Sequence, residues 1–320
     1  MARALYPFFL KTRSTKRKFV VGFIDRTGSI VIEPVFDDAL PFRGGLAPIK
    51  QDGKWGAIDA SGALRIEPVS DGALEISESR VVFGSFKTGK VGVIDLSGQV
   101  IVEPRYERIG PFRESIAWMR PQEKVGFIDV NGREISPPFY DDALSFSEGK
   151  APVKIEGKWG YVDRACKLSI PLTFDYALPF SEGLARVRCG SLWGYIEHSG
   201  EFKIDPKFSD ARDFAEGLAD VQIMKKWGYI NTDCVLTIPA KFSHTSEFSE
   251  GLASVRGERS LEGFIDQAGK FIIEPQFEMT SKFRNELCFV ETEEHIGYID
   301  KQGQFVWKGP YVDVGRVWDL

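Results

Sequence analysis

The feature that most constrains this chain is a five-residue segment that recurs along its whole length. It reads Val-Gly-Phe-Ile-Asp at 21–25, Trp-Gly-Ala-Ile-Asp at 55–59 and Trp-Gly-Tyr-Val-Asp at 159–163. A regular period is typical of repeat proteins, in which each repeat packs against its neighbours. Because the repeats span the chain, we expect no separate catalytic domain. Nine copies occur, with glycines 34 to 36 residues apart at Gly22, Gly56, Gly92, Gly126, Gly160, Gly194, Gly228, Gly263 and Gly297.

Three short strands are expected in each repeat, rather than helices. Each repeat contains a proline near its middle, and apolar residues at helical spacing never extend over about ten positions. Strand A is the recurring segment, strand B is a stretch such as 29–33, and strand C is a stretch such as 46–49. An Asp-x-x-Gly turn, as at Asp25 to Gly28, joins A to B. Asp caps such a hairpin turn and Gly takes its left-handed position.

The predicted fold is all-β, with about nine tandem 34-residue, three-stranded antiparallel meanders in an elongated, curved repeat array. The alternative is a closed propeller-like ring. It fits less well, since propeller blades usually have four strands and about 40 or more residues. Residues 1–320 would form a single repeat domain, with strands in the order C–A–B in each unit. The expected units are 1–34, 35–68, 69–104, 105–138, 139–171, 172–206, 207–239, 240–275 and 276–320.

The segment that links strand B of one unit to strand C of the next carries two aromatic residues six positions apart. A single three-stranded sheet is barely stable alone, so neighbouring units must pack together. We expect the aromatic pairs to be buried as wedges between units. They are Phe36 and Phe42, Tyr106 and Phe112, Tyr140 and Phe146, Phe174 and Phe180, Phe208 and Phe214, Phe242 and Phe248, and Phe277 and Phe283.

These residues resemble the WG-repeat family of bacterial proteins, also described as WG-containing or KWG repeats. The match rests on Gly-Lys-Trp-Gly at 53–56 and 157–160, on the Ile-x-Pro-x-Phe that follows, and on Phe-Ser-Glu-Gly-Leu-Ala at 180–185 and 248–253. The resemblance covers nearly all of the chain. It implies a bacterial β-rich repeat scaffold in a family whose members mostly have no assigned activity, and it supplies no catalytic residue.

Charge, apolar runs and cysteine spacing limit the cellular location and the classes of partner that we expect. A formal net charge of −5 argues against a general nucleic-acid binder, which needs a basic surface. No apolar run approaches the length of a membrane span, and the N-terminus does not read as a signal peptide. Four scattered cysteines do not indicate a disulfide framework, so we expect a cytoplasmic protein. The N-terminus carries a basic arm that could bind a phosphate surface or an acidic partner. A solvated hairpin turn is the alternative explanation, and the one that we favour. The basic residues of the arm are Arg3, Lys11, Arg13, Lys16, Arg17 and Lys18.

No catalytic or metal site is predicted. The three histidines and four cysteines fall in different repeats, without zinc-ligand spacing. An Asp ends strand A in most repeats, but one carboxylate per repeat does not place the six oxygens of a Ca²⁺ site together. We expect each Asp to cap its own hairpin instead. The sequence therefore predicts no cofactor and a protein that is not an enzyme; a hydrolase with a site in a repeat groove is a distant third alternative.

One position in strand C varies from repeat to repeat and is the predicted binding site. A position that accepts Pro, Arg, Asp and Ser is expected to face solvent. Exposed aromatic residues and arginines are frequent anchors of protein interfaces. The candidate binding residues, at this position or beside it, are Trp118, Phe289, Arg186, Arg188 and Asp220.

The predicted function is a non-enzymatic scaffold that binds another protein through an extended β-repeat surface. The alternative is a carbohydrate or cell-envelope binding module. A ladder of Trp55, Trp159, Trp193 and Trp227 could stack on sugars in such a module. Packing between units is the interpretation of these tryptophans that we favour, because all four share one phase of the repeat.

Overall fold

The computed structural model describes residues 4–12, 19–85, 88–257 and 260–311. The regular elements in these ranges are 35 β-strands, which confirms the all-β class. The chain divides into two compact units, Met1–Asp25 with Ser29–Thr173, and Arg26–Gly28 with Phe174–Leu320. Within the described ranges, the chain forms no helix with the length and apolar character of a membrane span.

Five sheets lie in the first unit, apart from Phe174 at the end of the fifth. Their strands are β1 (Leu5–Lys11), β2 (Phe19–Asp25) and β3 (Ile30–Phe36); β4 (Asp38–Ala39), β5 (Leu46–Gln51), β6 (Lys54–Asp59) and β7 (Leu64–Ser70); β8 (Glu75–Ser77), β9 (Arg80–Ser85), β10 (Lys90–Asp95) and β11 (Val100–Tyr106); β12 (Arg108–Ile109), β13 (Ile116–Arg120), β14 (Val125–Asp129) and β15 (Glu134–Tyr140); and β16 (Asp142–Ala143), β17 (Lys150–Ile155), β18 (Lys158–Asp163) and β19 (Leu168–Phe174).

Four sheets lie in the second unit. Their strands are β20 (Tyr176–Ala177), β21 (Ala185–Cys189), β22 (Leu192–Ile196) and β23 (Phe202–Phe208); β24 (Asp210–Ala211), β25 (Leu218–Ile223), β26 (Lys226–Asn231) and β27 (Leu236–Phe242); β28 (His244–Thr245), β29 (Ala253–Arg256), β30 (Glu262–Ile265) and β31 (Phe271–Phe277); and β32 (Met279–Thr280), β33 (Cys288–Glu291), β34 (His295–Ile299) and β35 (Phe305–Pro310).

The predicted three-stranded meander is wrong, because every described sheet after the first has four strands. The additional strand lies in the segment that was expected to be a plain linker. In the seventh sheet, for example, β24 pairs Asp210 with Gln222 and Ala211 with Val221. Predicted strands C, A and B follow as β25, β26 and β27. A ladder of two residue pairs is too short to leave an alternating pattern in the sequence. Four-stranded antiparallel sheets of this kind are the blades of the β-propeller class.

The predicted elongated array is also wrong. Within the second unit, the turn Arg26–Gly28 lies against the last sheet, since Gly28 packs onto the carbonyl of Val306 with no space for a Cβ. Arg26 Nη1 is 3.1 Å from Glu286 Oε2. An elongated array would hold this turn and the last sheet apart, and the four-stranded sheets belong to the propeller class that was the alternative. Contacts between residues that are 260 positions apart leave no signal in a single sequence.

The glycine of strand A is required because strand B crosses close to it. The pairing of A with B shifts register at this point, as between Trp227 and Tyr229 of β26. A Cβ on Gly160 would lie 2.5 Å from the carbonyl oxygen of Ile170, well inside van der Waals contact. The repeat therefore keeps glycine here to accommodate a bulge rather than a turn.

The aspartates of strand A cap their own hairpins, as predicted. Asp59 Oδ1 accepts hydrogen bonds from the backbone N–H groups of Ser61 at 2.9 Å and Ala63 at 3.1 Å. The hydrogen bond from the Ser61 hydroxyl, followed by Arg65 and these backbone bonds, holds the pKa of Asp59 well below its usual range. Asn231 makes equivalent contacts where its repeat lacks Asp. The turn chemistry thus accounts for the recurring acids.

The linker aromatics are buried, as predicted, with the exception of Phe42, which is half-buried. Phe214 is only 1% exposed, and its ring meets Tyr195 of the preceding sheet edge to face, with centroids 4.9 Å apart. Phe248 packs on Tyr229 of its own preceding sheet at the same separation. At these two boundaries the wedge therefore joins a strand A aromatic of one sheet to the linker that begins the next.

The predicted basic arm falls largely outside the described residues. Arg3, Arg13, Lys16, Arg17 and Lys18 all lie outside those ranges. Lys11 is described, and it is the exposed last residue of β1.

Candidate binding surface

Four of the five predicted binding residues lie at matching positions of the second strand of their sheets, which is the first of the three long strands. Trp118 is paired with Phe127, Arg186 with Tyr195, Asp220 with Tyr229 and Phe289 with Tyr298. Arg188 lies two residues beyond Arg186, so it projects from the same face of β21. The sequence therefore identifies a single equivalent position correctly.

The expected exposure of this position is wrong. Asp220 is 0% exposed and Phe289 is 2% exposed. The side chain of Arg186 is 19% exposed and forms an ion pair, with Nε 2.8 Å from Asp213 Oδ1. Arg186 and Asp220 face the linker or short strand of the next sheet rather than solvent, whereas the Phe289 ring packs on Tyr298 of its own sheet. Arg186 and Asp220 thus have different partners across a sheet boundary, which accounts for their different identities.

The matched partners are polar in three successive sheets of the second unit. Arg186 also donates to the carbonyl of Ala211. Asp220 Oδ2 accepts a hydrogen bond from Thr245 Oγ1 at 2.6 Å and lies 3.5 Å from Arg212 Nε.

In the next pair of sheets, Thr280 Oγ1 contacts Ser254 Oγ and Glu262 Oε2, both at 2.8 Å. Each sheet pair thus has its own polar contact at one geometric place. This arrangement favours one order of the sheets, because a sheet packed beside the wrong neighbour would leave its buried polar groups without hydrogen-bond partners.

Burial dominates the electrostatics of this polar cluster. It raises the pKa of Asp220, against the opposing effects of Arg212 and the Thr245 hydrogen bond. It raises the pKa of Asp213 in the same way, against Arg186. Asp220 Oδ1 is buried and accepts no hydrogen bond from the described residues. The cluster is enclosed, so it holds sheets together rather than offering a surface to a partner.

Trp118 and Arg188 are partly accessible but engaged within the chain. The Arg108 guanidinium lies 5.6 Å from the Trp118 ring centroid. Arg188 and Arg186 lie 5.7 and 5.3 Å from the ring of Trp193, so the structure brings these two candidates together. Asp220 and Phe289 lie in other sheets of the second unit, and Trp118 lies in the first unit.

Sequence reasoning misses a hairpin that exposes a large apolar side chain. Met224, between β25 and β26, is 94% exposed. Met224 and Lys225 have φ angles of 49° and 64°, where the equivalent residues Glu156 and Gly157 have 49° and 83°. A side chain at the second position is strained where other repeats use glycine. The replacement of a polar residue and glycine by Met-Lys at this turn is the sequence signal that marks the hairpin.

A groove of about 430 Å³ opens beside this hairpin in the second unit. Its apolar lining is provided by both the sixth and the seventh sheets. Lys207, Ser209, Gln222 and Cys234 complete the lining, which contains no acidic residue. We call it the Met224 groove, and its apolar residues are Leu192, Phe208, Ile223, Met224, Ile230 and Leu236.

Lysines at the Met224 hairpin lack the acidic partners found elsewhere. Lys54 and Lys124 lie two residues before the strand A glycine in other sheets. They form ion pairs with Asp71 and Asp141, each 17 residues further on. The residue 17 positions after Lys226 is Ser243, and Lys226 forms no ion pair with any described residue.

Two solved structures share the fold. A crystal structure of the eukaryotic initiation factor matches with a TM-score of 0.66 and 13% sequence identity, over 97% of this chain and 96% of that chain. The computationally designed Ika8 protein matches with a TM-score of 0.50 and 14% identity, over 85% and 95% of the two chains. At these identities the likeness concerns the fold alone. No curated protein matches the chain in sequence.

The repeats themselves match the model of the WG containing repeat. The model matches residues 22–55, 92–122, 126–159, 159–193, 193–227, 227–256 and 263–294. These seven segments cover more than half of the chain and include seven of the nine strand A glycines and the linker aromatics described above. The chain therefore belongs to the WG containing repeat family.

Proposed function

We propose that this protein is a non-enzymatic scaffold, located in the cytoplasm, that binds another protein through the exposed faces of its outer strands. One observation carries the proposal. The residue before the last residue of the outer strand, which is the last strand of its sheet, is exposed in each of the first eight sheets. It varies along the chain and is, in order, Val, Val, Arg, Phe, Thr, Lys, Lys and Gln. Repeat scaffolds obtain specificity from such variation on a constant framework.

The variable outer position is apolar in part of the first unit. It holds Val35, Val69 and Phe139, and Phe139 is 60% exposed. In the second unit the same position holds Lys207, Lys241 and Gln276. Exposed large apolar residues are frequent anchors of protein–protein contacts. The outer position thus has the properties that the sequence analysis assigned to strand C.

The tryptophans on which the carbohydrate alternative depends are not available to stack on a sugar. Trp55, Trp159 and Trp227 are buried, and Trp193 is half-buried between two arginines. Tryptophans packed inside the sheets have no face to offer a sugar ring. The cytoplasmic location is supported by the absence of a disulfide among the four cysteines, all of which are described.

The scaffold proposal is tested by affinity capture from a lysate of the source cells. The baits are the full chain, the triple variant V35S/V69S/F139S and the control variant Gln276→Ser, which changes the same outer position in another sheet. We expect a protein retained by the wild-type chain and by the control, and lost from the triple variant. A glycan array run in parallel that shows binding, with no protein retained by any bait, would reject the scaffold.

A further inference from the structure

We propose that the Met224 groove binds an acidic segment of a partner protein that inserts one large apolar side chain. The inference rests on the proposed scaffold function and names a second contact site on it. The groove lies wholly within the second unit, whereas Val35, Val69 and Phe139 lie in the first.

The apolar part of the groove suits an inserted side chain. Leu192, Met224 and Leu236 are exposed apolar residues on its lining. Its volume of about 430 Å³ lies within the common range of ligand pockets. Met is flexible and polarisable, so Met224 adapts to differently shaped side chains.

The charge around the groove suits an acidic segment. Lys207 lines the groove, and Lys225 and Lys226 follow Met224 in the hairpin. None of these three lysines forms an ion pair with a described residue, whereas Lys54, Lys90 and Lys124 at the equivalent position of Lys226 all do. The chain as a whole carries a net charge of −5, so three unneutralised lysines beside one apolar groove stand out. Carboxylates of a partner would complete these pairs.

An acidic peptide fits this chemistry better than a nucleic acid does. Single-stranded nucleic acids bind through aromatic platforms on which bases stack. The exposed apolar residues of the groove are aliphatic, and the one aromatic ring among its described lining residues, Phe208, is buried. An aliphatic groove with basic neighbours matches an apolar side chain flanked by carboxylates.

The test is a selection from a phage-displayed library of random peptides, about a dozen residues long, on the full chain. The same selection is run on Met224→Glu and on the control variant Glu156→Ser, which alters the equivalent hairpin of another sheet. We expect the wild-type chain and the control to enrich peptides with Asp or Glu beside Leu, Ile, Met or Phe. Met224→Glu should not enrich them, while its far-UV circular dichroism stays that of the wild type, because the Met224 side chain is almost fully exposed.

An enriched peptide, labelled with fluorescein, is then titrated against the wild-type chain. Replacing its acidic residues by their amides should weaken binding by about 10-fold or more, as should Lys226→Ser in the protein. Enrichment of the same peptides on Met224→Glu, no acidic enrichment, or binding of oligo(dT) at this hairpin in place of a peptide would each overturn the inference. The lysate capture tests residues in the first unit of the chain, whereas the peptide selection tests the second. A protein partner lost from V35S/V69S/F139S would therefore support the scaffold function even if the peptide experiments reject the Met224 groove as a binding site.

Discussion

Thr245 Oγ1 donates a hydrogen bond of 2.6 Å to Asp220 Oδ2 across the boundary between two neighbouring sheets. Both residues are fully buried, and Arg212 Nε lies 3.5 Å from the same carboxylate oxygen. The contact joins β25 of one sheet to the short strand β28 of the next. It shows how a variable residue can be central to packing.

Removing the Thr245 hydroxyl should destabilise the second unit. Thr245→Val keeps the shape and leaves the Asp220 carboxylate without its hydroxyl donor. The expected loss is about 1–3 kcal/mol in the free energy of unfolding, measured by urea denaturation. Thr173→Val, on an exposed strand position, is the control and should change stability by less than about 0.5 kcal/mol. Equal effects of the two substitutions would contradict the role assigned to the contact.

The buried carboxyl of Asp220 should make stability depend on pH. Its pKa is raised above 3.8 by burial, with Arg212 and Thr245 opposing and Glu247 adding to the shift. Between 3.8 and the raised value the folded state binds more protons than the unfolded state, so the free energy of unfolding falls as pH rises through that window.

The pH effect is measured against Asp220→Asn, which cannot titrate. Urea denaturation from acid to neutral pH should show the wild type losing stability relative to Asp220→Asn as pH rises from about 4, with no further relative change once the carboxyl is ionised. A relative gain of wild-type stability over the same rise would show that the pKa is lowered instead.

Removing the ring of a buried linker aromatic should lower the stability of the fold strongly. Phe214→Ala removes a ring that packs on Tyr195 and is 1% exposed. The expected loss is about 3–5 kcal/mol in the free energy of unfolding, as for other buried phenylalanines. Phe139→Ala provides the matched control, because that ring is 60% exposed and should contribute less than about 0.5 kcal/mol. Both variants are measured by denaturant titration. Similar losses in their free energies of unfolding would contradict the role of Phe214 as a buried wedge.

Adding a methyl group to a strand A glycine should disrupt the bulge. A Cβ on Gly160 would press against the carbonyl oxygen of Ile170 and the backbone of Pro171. Backbone atoms cannot yield as a flexible side chain can, so we expect Gly160→Ala to destabilise by about 1–3 kcal/mol or more. A Cβ on Gly72 would meet nothing within 4 Å, so Gly72→Ala should leave the melting temperature nearly unchanged. Similar melting temperatures for both variants would show that strand B moves aside at little cost.

The sequence by itself was sufficient to predict the repeat and the β class. It also predicted the features that depend only on residues within about five positions of one another. Asp59 capping its turn and glycine at each bulge are local requirements, so they recur at a fixed spacing and can be read from one chain. The burial of Phe214 was predictable for a similar reason, because identical neighbouring repeats need an identical wedge.

The tertiary structure decided what lies between the repeats. The pairing of Asp210 with Gln222 is too short for periodicity to reveal, and it converts three strands into four. Variation at Asp220 suggested exposure, but the residue is buried, with Thr245 and Arg212 beside its Oδ2 atom. The same holds for the Met224 groove, since its walls come from two sheets. Whether a polar side chain is buried depends on partners brought from about 25 residues away, and a single sequence does not record which partners meet.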